Sequence, residues 1–315
     1  MAEGAPTSGE SSDESYIADR PPRAMKIHLI DGTYELFRNY YGAPPKKTPG
    51  GREIGATLGV LRSLLALLAQ TGTTHVACAF DHVVESFRND LFTGYKTGEG
   101  VDPELLGQFE LVEQAVAALG VVVWPMVEFE ADDALAAGAA RFRDEPAVDQ
   151  VLICSPDKDL AQAVSGTRVV CWDRRRDIVL DEQGVAQKFG VRPESIPDWL
   201  GLVGDSADGY PGIPGWGAKS ASAVLSRFGH LEQIPPDPGL WGLPAARAGR
   251  LAESLRSHEQ EALLYRRLAT LRQDVPLLEN LADLEWRGAR DDLRELCAAW
   301  GESSLPNRIH RWQDA

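Results

Sequence analysis

Glu130-Ala131-Asp132-Asp133 sets three carboxylates into four residues at the start of the apolar helical pattern Ala134 to Phe142. The free N–H groups and the macrodipole of a helix N-terminus favour acids, so capping accounts for one of them. It does not call for three. If acids from elsewhere join them, their mutual repulsion demands a hard divalent cation, and an all-oxygen ligand set suits Mg²⁺ or Mn²⁺.

Other acids sit where such a meeting can occur. The buried-strand pattern Lys26 to Ile30 closes at Asp31-Gly32, His75 to Phe80 closes at Asp81, and Val151 to Cys154 runs into Ser155-Pro156-Asp157-Lys158-Asp159. Taken singly, each acid reads as a turn residue. Between these strands lie helical patterns: Ile54, Leu58, Leu61, Leu65 and Leu68 predict a helix over about 53–70, and another runs from about Pro103 to Leu119 before the strand-like Val121 to Val127. That alternation predicts a parallel sheet with right-handed crossovers, whose strands end on one edge, and open parallel sheets bind ligands outside that edge. Asp31, Asp81, Asp157 and Asp159 gather there, with Glu130, Asp132 and Asp133 opening a helix of the same series. Gly204-Asp205-Ser206-Ala207-Asp208 adds two more acids.

Stretches suited to a polyanion flank this cluster. Arg38 to Arg52, with Tyr40, Tyr41, Lys46 and Lys47 among Pro and Gly, reads as a loop of basic and aromatic character. Ser86 to Gly100 carries Arg88, Tyr95 and Lys96 between two sheet elements and is too polar for a core. Gly209 to Ala221 is dense in glycine, ends in Lys219 and enters a helix with Val224, Leu225 and Phe228. Such glycines let a backbone approach a phosphate, and the helix start supplies N–H donors; a tight inter-helix turn is the plainer alternative. Arg168 to Trp172 and Ile178 to Leu180 form an edge hairpin with Arg174, Arg175 and Arg176 at a solvated tip, and residues 245–300 continue as helices.

The chain has 315 residues and a net charge of −15, which on its face disfavours a nucleic-acid partner. The distribution of that charge removes the objection. Residues 1–24 hold five acids against two arginines, leaving −12 for the rest, most of it in the nine acids named above. The same 24 residues, low in apolar content, are expected to be disordered. No run of 18 apolar residues and no secretory h-region is present, so no membrane span and a cytoplasmic location are expected. Cys78, Cys154, Cys171 and Cys297 lack metal spacing and read as reduced thiols.

With these motifs in this order, the chain resembles the 5'-to-3' exonuclease and flap endonuclease family, including the exonuclease domain at the front of bacterial DNA polymerase I. The resemblance covers about residues 25–290. It rests on Leu29-Ile30-Asp31-Gly32, Ala79-Phe80-Asp81, Ser86-Phe87-Arg88, Gly94-Tyr95-Lys96, Glu130 to Asp133, Asp157-Lys158-Asp159-Leu160, and Gly204-Asp205 through Lys219. It implies an α/β fold with a PIN-like, mostly parallel sheet flanked by helices. A nuclease core over 25–190 would carry a helical arch at about 83–115. A helical DNA-binding subdomain over 191–315 would carry a helix-hairpin-helix at about 204–228. It also implies two or three Mg²⁺ or Mn²⁺ ions on Asp31, Asp81, Glu130, Asp132, Asp133, Asp157, Asp159, Asp205 and Asp208. Arg88 and Lys96 would engage the scissile phosphate, with Tyr95 beside them and Arg38 nearby in contact with DNA. Gly212, Gly215, Gly217 and Lys219 would grip duplex backbone, where relatives often hold K⁺.

The function so implied is hydrolysis of 5' ends and 5' flaps of branched DNA, including RNA-primed strands, in replication and repair. DNA polymerase and ligase would be partners of a monomer, and no polymerase domain is expected after Ala315. The chain departs from relatives at Glu99, where a basic residue often stands, and with Asp102 and Glu104 its arch is less basic than usual. A PIN-type ribonuclease and a non-catalytic flap-binding protein are the alternative classes.

Overall fold

The structure, a computed structural model, describes residues 25–313, so the tail over 1–24 lies outside the described residues. Strands β1 (Met25–Asp31), β2 (Thr73–Asp81), β3 (Val122–Met126), β4 (Val148–Cys154), β5 (Val169–Asp173) and β6 (Ile178–Leu180) form one sheet in the order β3-β2-β1-β4-β5-β6. Neighbours are parallel except β5 and β6, the antiparallel edge hairpin. Strand order therefore reverses between β1 and β4, and a crevice opens there at the carboxyl ends.

Helices α1 (Gly32–Gly42), α2 (Gly55–Leu68), α3 (Phe87–Leu91), α4 (Pro103–Leu106), α5 (Phe109–Ala118) and α6 (Ala131–Phe142) alternate with the first strands. Beyond the sheet come α7 (Glu182–Phe189), α8 (Ile196–Val203), α9 (Ala218–Phe228), α10 (Ala245–Ser257), α11 (Glu259–Ala269) and α12 (Asp292–Ala299). Both sheet faces are covered, which is why its central strands read as continuous apolar runs. Ile27, Leu29, Ala77, Ala79, Val151 and Ile153 face α6 and the helices α7 to α11, whereas Ile30, Val76, Cys78, Phe80, Leu152 and Cys154 face α1, α2 and α5. All four cysteines are buried and free.

Three local expectations change. The segment from Arg38 starts as helix, because Asp31 caps α1 and Leu36, Phe37 and Tyr40 pack against the second core at helical spacing. The single helix expected over Pro103 to Leu119 is split at Gly107-Gln108, where buried Gln108 accepts hydrogen bonds from the Thr57 backbone N–H (2.9 Å) and hydroxyl (3.0 Å). The chain after Leu284 does not stay with the helical half. Trp286 donates its backbone N–H to the Thr74 carbonyl (2.7 Å) and its indole N–H to that of Leu119 (2.9 Å), and Leu293, Cys297, Trp300, Leu305 and Ile309 complete the core over α2 and α5. The segment expected as an arch carries the short helices α3 and α4, joined by a glycine-rich loop.

Candidate active site

The crevice gathers acids from five places in the chain. Asp31, at the end of β1, caps α1 by accepting the Tyr34 N–H (2.8 Å) and takes a hydrogen bond from the Ser155 hydroxyl (2.7 Å) beyond β4. Asp81, at the end of β2, accepts the Ala131 N–H (2.7 Å) and so ties its strand to the first turn of α6. Asp157 accepts the Asp159 N–H (2.9 Å), which folds the turn after β4 back on itself. Asp205 and Asp208 arrive on the loop after α8, and carboxylate oxygens of Asp159, Asp205 and Asp208 all lie within 4.8 Å of one another.

Crowding buried carboxylates raises their affinity for protons, first by desolvation and then by mutual repulsion. Burial, with Asp81 and Asp157 close by, pushes Asp31 up to about 7. Asp132 rises well above the usual range through burial and the charges of Asp157 and Asp31, and Asp159 does so through burial and Asp157. Glu130 goes the other way. Burial works to raise it, but Lys96 and Arg88 outweigh that and hold it at about 2. Lys96 places its ammonium 2.8 Å from Glu130 and 3.1 Å from Asp208. Lys158 pairs with Asp205 and stands 3.5 Å from Asp159, whose Oδ1 is buried with no hydrogen-bond partner. An all-oxygen donor set, an orphaned carboxylate oxygen and repulsion held in check by two lysines together fit divalent cations.

The expected roles of Arg88 and Asp133 require correction. The Arg88 side chain is 1% exposed and meets Asp133 in two parallel hydrogen bonds of 2.7 Å, while its Nε donates to the Leu268 carbonyl (2.8 Å). Asp133 also accepts backbone N–H groups of Glu130 (3.0 Å) and Arg272 (2.9 Å). Each is engaged by the other and by the backbone, and Arg88 also lies 3.1 Å from a Glu130 carboxylate oxygen. Neither faces the crevice as a phosphate contact or an open ligand. Tyr95 likewise is core: it is 3% exposed, with its hydroxyl donating to Glu130 (3.2 Å). Arg38 pairs with Glu35 on α1, and Glu35 also meets Arg174, which leaves the hairpin tip to donate to the Ser63 carbonyl (2.9 Å).

The glycine-rich loop between α8 and α9 divides into a packed part and an open part. A Cβ on Gly212 would lie 2.4 Å from the Gly204 nitrogen, so these two left-handed glycines exist for close backbone approach, and Gly212 is buried. Gly215 is exposed with open space beside it, Gly217 caps α9, and Lys219 is exposed in the first turn of that helix. Glu99 is exposed and makes no salt bridge among the described residues; Glu104 pairs with Lys47 (2.7 Å) and Asp102 caps α4. Sequence reasoning assigned no role to Lys158 or Ser155, although a lysine between two acids and a serine opening that turn were visible signals.

A family model described as 5'-3' exonuclease, N-terminal resolvase-like domain, matches residues 26–190, and one described as 5'-3' exonuclease, C-terminal SAM fold, matches residues 191–292. DNA polymerase I of Mycobacterium leprae (strain TN) is 33% identical over 299 residues, covering 88% of this chain and 32% of that protein. A 5'-3' exonuclease of Buchnera aphidicola subsp. Baizongia pistaciae (strain Bp) is 33% identical over 251 residues, or 78% of this chain and 82% of its own length. The chain thus spans about a third of the polymerases it matches and most of the shorter exonuclease. In fold it is similar to the bacteriophage T5 D15 flap endonuclease, solved as a pseudo-enzyme-product complex with DNA and metal ions, with a TM-score of 0.60 at 17% identity over 90% of this chain and 96% of that one.

Proposed function

Since the chain belongs to the 5'-3' exonuclease family, we propose that it is a divalent-metal-dependent nuclease that hydrolyses phosphodiester bonds at 5' ends and 5' flaps of DNA, RNA-primed strands included. The observation that carries this reading is the convergence of Asp31, Asp81, Asp132, Asp157 and Asp159 at the sheet edge with Asp205 and Asp208 of the loop after α8, more carboxylates than the hydrogen bonds and the two lysines among them neutralise. Asp31, Asp81, Asp132 and Asp157 on the sheet side, and Asp159, Asp205 and Asp208 on the helical side, would hold the ions, whereas Glu130, expected among the ligands, is engaged by Lys96 and Arg88. When bound, these ions supply the positive charge that lowers the pKa of water and stabilises the attacking and leaving oxygens of an in-line displacement.

The chain's own residues do the positioning. Lys96, the cation at the crevice mouth, exchanges Glu130 and Asp208 for a phosphate oxygen and adds a donor where charge develops. Arg88 and Asp133 fix the first turn of α6, which keeps Asp132 aimed at the crevice. Exposed Gly215, Ala218 and Lys219, at the start of α9, offer N–H groups and one ammonium to duplex phosphates, a contact that positions without reading sequence. Among the described residues no helix is long and apolar enough to cross a membrane. A monomer in the cytoplasm, working on strands shared with DNA polymerase and ligase, is the setting we propose.

A labelled 5'-flap duplex incubated with the chain in Mg²⁺ or in chelator tests the proposal. Cleavage near the branch in Mg²⁺ alone is expected. Flap binding without cleavage in either Mg²⁺ or Mn²⁺ would leave a binding protein, and cleavage of RNA alone would leave a ribonuclease.

A further inference from the structure

Beside the carboxylates a cleft of about 310 Å³ opens between the β5–β6 hairpin and α7, and nothing in the reaction above uses it. Its walls include Cys171, Leu180 and Phe189, all apolar, and Ile178 at its edge is 47% exposed on the outermost strand. Two cations stand on the rim. Lys188 lies 5.0 Å from the Phe189 ring centroid and has no salt-bridge partner among the described residues, and Arg176 is 68% exposed beside Asp173. Asp157 and Lys158 form the remaining wall, so the cleft and the carboxylate edge share a boundary.

We infer that this cleft receives the base and sugar of one nucleotide of the strand being cut, with the adjoining phosphate at the carboxylate edge. The inference rests on the nuclease reading. At this volume the cleft stands at the low end of small-molecule sites, roughly 300–1,000 Å³, which suits one nucleoside and excludes a base pair. Apolar walls accept the face of any base without reading its edge, as single-strand sites do. On the rim Lys188, without a salt-bridge partner among the described residues, suits a phosphate beside such a base, whereas an apolar peptide or lipid would leave that charge unused; Arg176 is held by Asp173 (3.2 Å). The geometry therefore selects a nucleoside 5'-phosphate, unpaired from its complement, as occupant.

Two measurements test this on the full chain. In the first, 2'-deoxyadenosine 5'-monophosphate and 2'-deoxyribose 5-phosphate are titrated calorimetrically in Mg²⁺. The nucleotide should bind about tenfold more tightly, because the base supplies the difference. Leu180→Trp, which fills the cleft, should remove that preference, and Lys188→Glu, a surface change that serves if Leu180→Trp fails to fold, should weaken nucleotide binding about tenfold. In the second, 5'-flap duplexes carrying a normal or an abasic nucleotide next to the scissile phosphate are compared in single-turnover cleavage. The abasic substrate should be cut about tenfold more slowly by the wild type and no more slowly than the normal one by Leu180→Trp. Equal affinity for the two small probes together with equal cutting of the two flaps overturns the cleft assignment and leaves the nuclease reading standing. Absence of flap cleavage with a nucleotide preference that the variants abolish fells the nuclease reading, and with it the cut strand as the occupant, and leaves a cleft that takes a nucleotide alone.

Discussion

Around Arg88 and Asp133, charges are buried and matched: a two-pronged ion pair, a carbonyl and the Glu130 carboxylate on the guanidinium, and two backbone N–H groups on the Asp133 carboxylate. One residue earlier in the same helix, Asp132 points into a crevice of like charge and is pushed toward protonation. The first region is closed, the second left in electrostatic debt. Residue type does not separate them, since both are aspartates of one acidic run; the partners that the fold brings up do. A satisfied buried pair organises a backbone, whereas an unsatisfied cluster stores affinity for a cation.

The sharpest way to break this contrast is to open the closed region. Arg88→Ala strands Asp133 as an uncompensated buried charge and should cost about 3–5 kcal/mol in urea unfolding. The double variant Arg88→Met/Asp133→Leu, which removes both charges, should recover most of that loss. If Arg88→Ala instead kept its stability and lost only cleavage, Arg88 would return to the phosphate and the two regions would be one.

Opening the other side gives the opposite pattern. Asp132→Ala should reduce single-turnover flap cleavage by about 10²–10³-fold. Its melting temperature in chelator should hold or rise, because one repelling charge is gone. Flap binding should persist. A variant that cleaves normally removes Asp132 from the ion site.

Proton linkage separates the regions a third way. Asp31 binds its proton more tightly when folded, at about 7 against an ordinary 3.8, so its contribution is fully present below 3.8 and is lost as pH rises through 7. Glu130 is shifted downward to about 2, and the stability it adds is present above 4.5 and lost only as pH falls toward 2. Between pH 5 and pH 8 the Asp31 slope stands alone of the two. Metal-free protein should therefore unfold at less urea at pH 8 than at pH 5, Asp31→Asn should reduce that difference with the rest carried by Asp132 and Asp159, and Mg²⁺ at a hundred times its Kd should add about 2.7 kcal/mol at pH 8. Stability that climbs with pH in chelator would contradict the crowding inferred at the crevice.

The smallest expected effect lies furthest from both regions. Lys219→Ala should weaken binding to all duplexes alike and lower the salt slope of log K by about 1, as loss of one phosphate contact does. An unchanged slope takes Lys219 out of the interface.

The sequence already displayed what is local. Acids closing Lys26 to Ile30, His75 to Phe80 and Val151 to Cys154 could be placed on one edge because parallel strands end together, and the sheet bears those acids where expected. What it concealed depends on partners remote in the chain. Arg88 looks like a free cation until Leu268, 180 residues on, presents a carbonyl to it. Tyr95 looks like an interface aromatic until Glu130 and the core close over it. Gly212 has the composition of a phosphate loop and the job of letting two backbone stretches touch. The start of α1 was hidden for another reason: Asp31 is both a strand-ending acid and a helix cap, and one residue type serves both signals.

The return of residues 286–309 to the sheet has a consequence for how the molecule comes into being. The face formed by Val76, Cys78, Leu61, Val112 and Val116 is sealed by Trp286, Leu293, Cys297 and Trp300, contributed by residues made some 200 positions later. During synthesis that face emerges long before its cover, and contacts of such separation are slow to close. A nascent chain halted within α11 would carry every carboxylate of the crevice and still show an unsealed apolar wall.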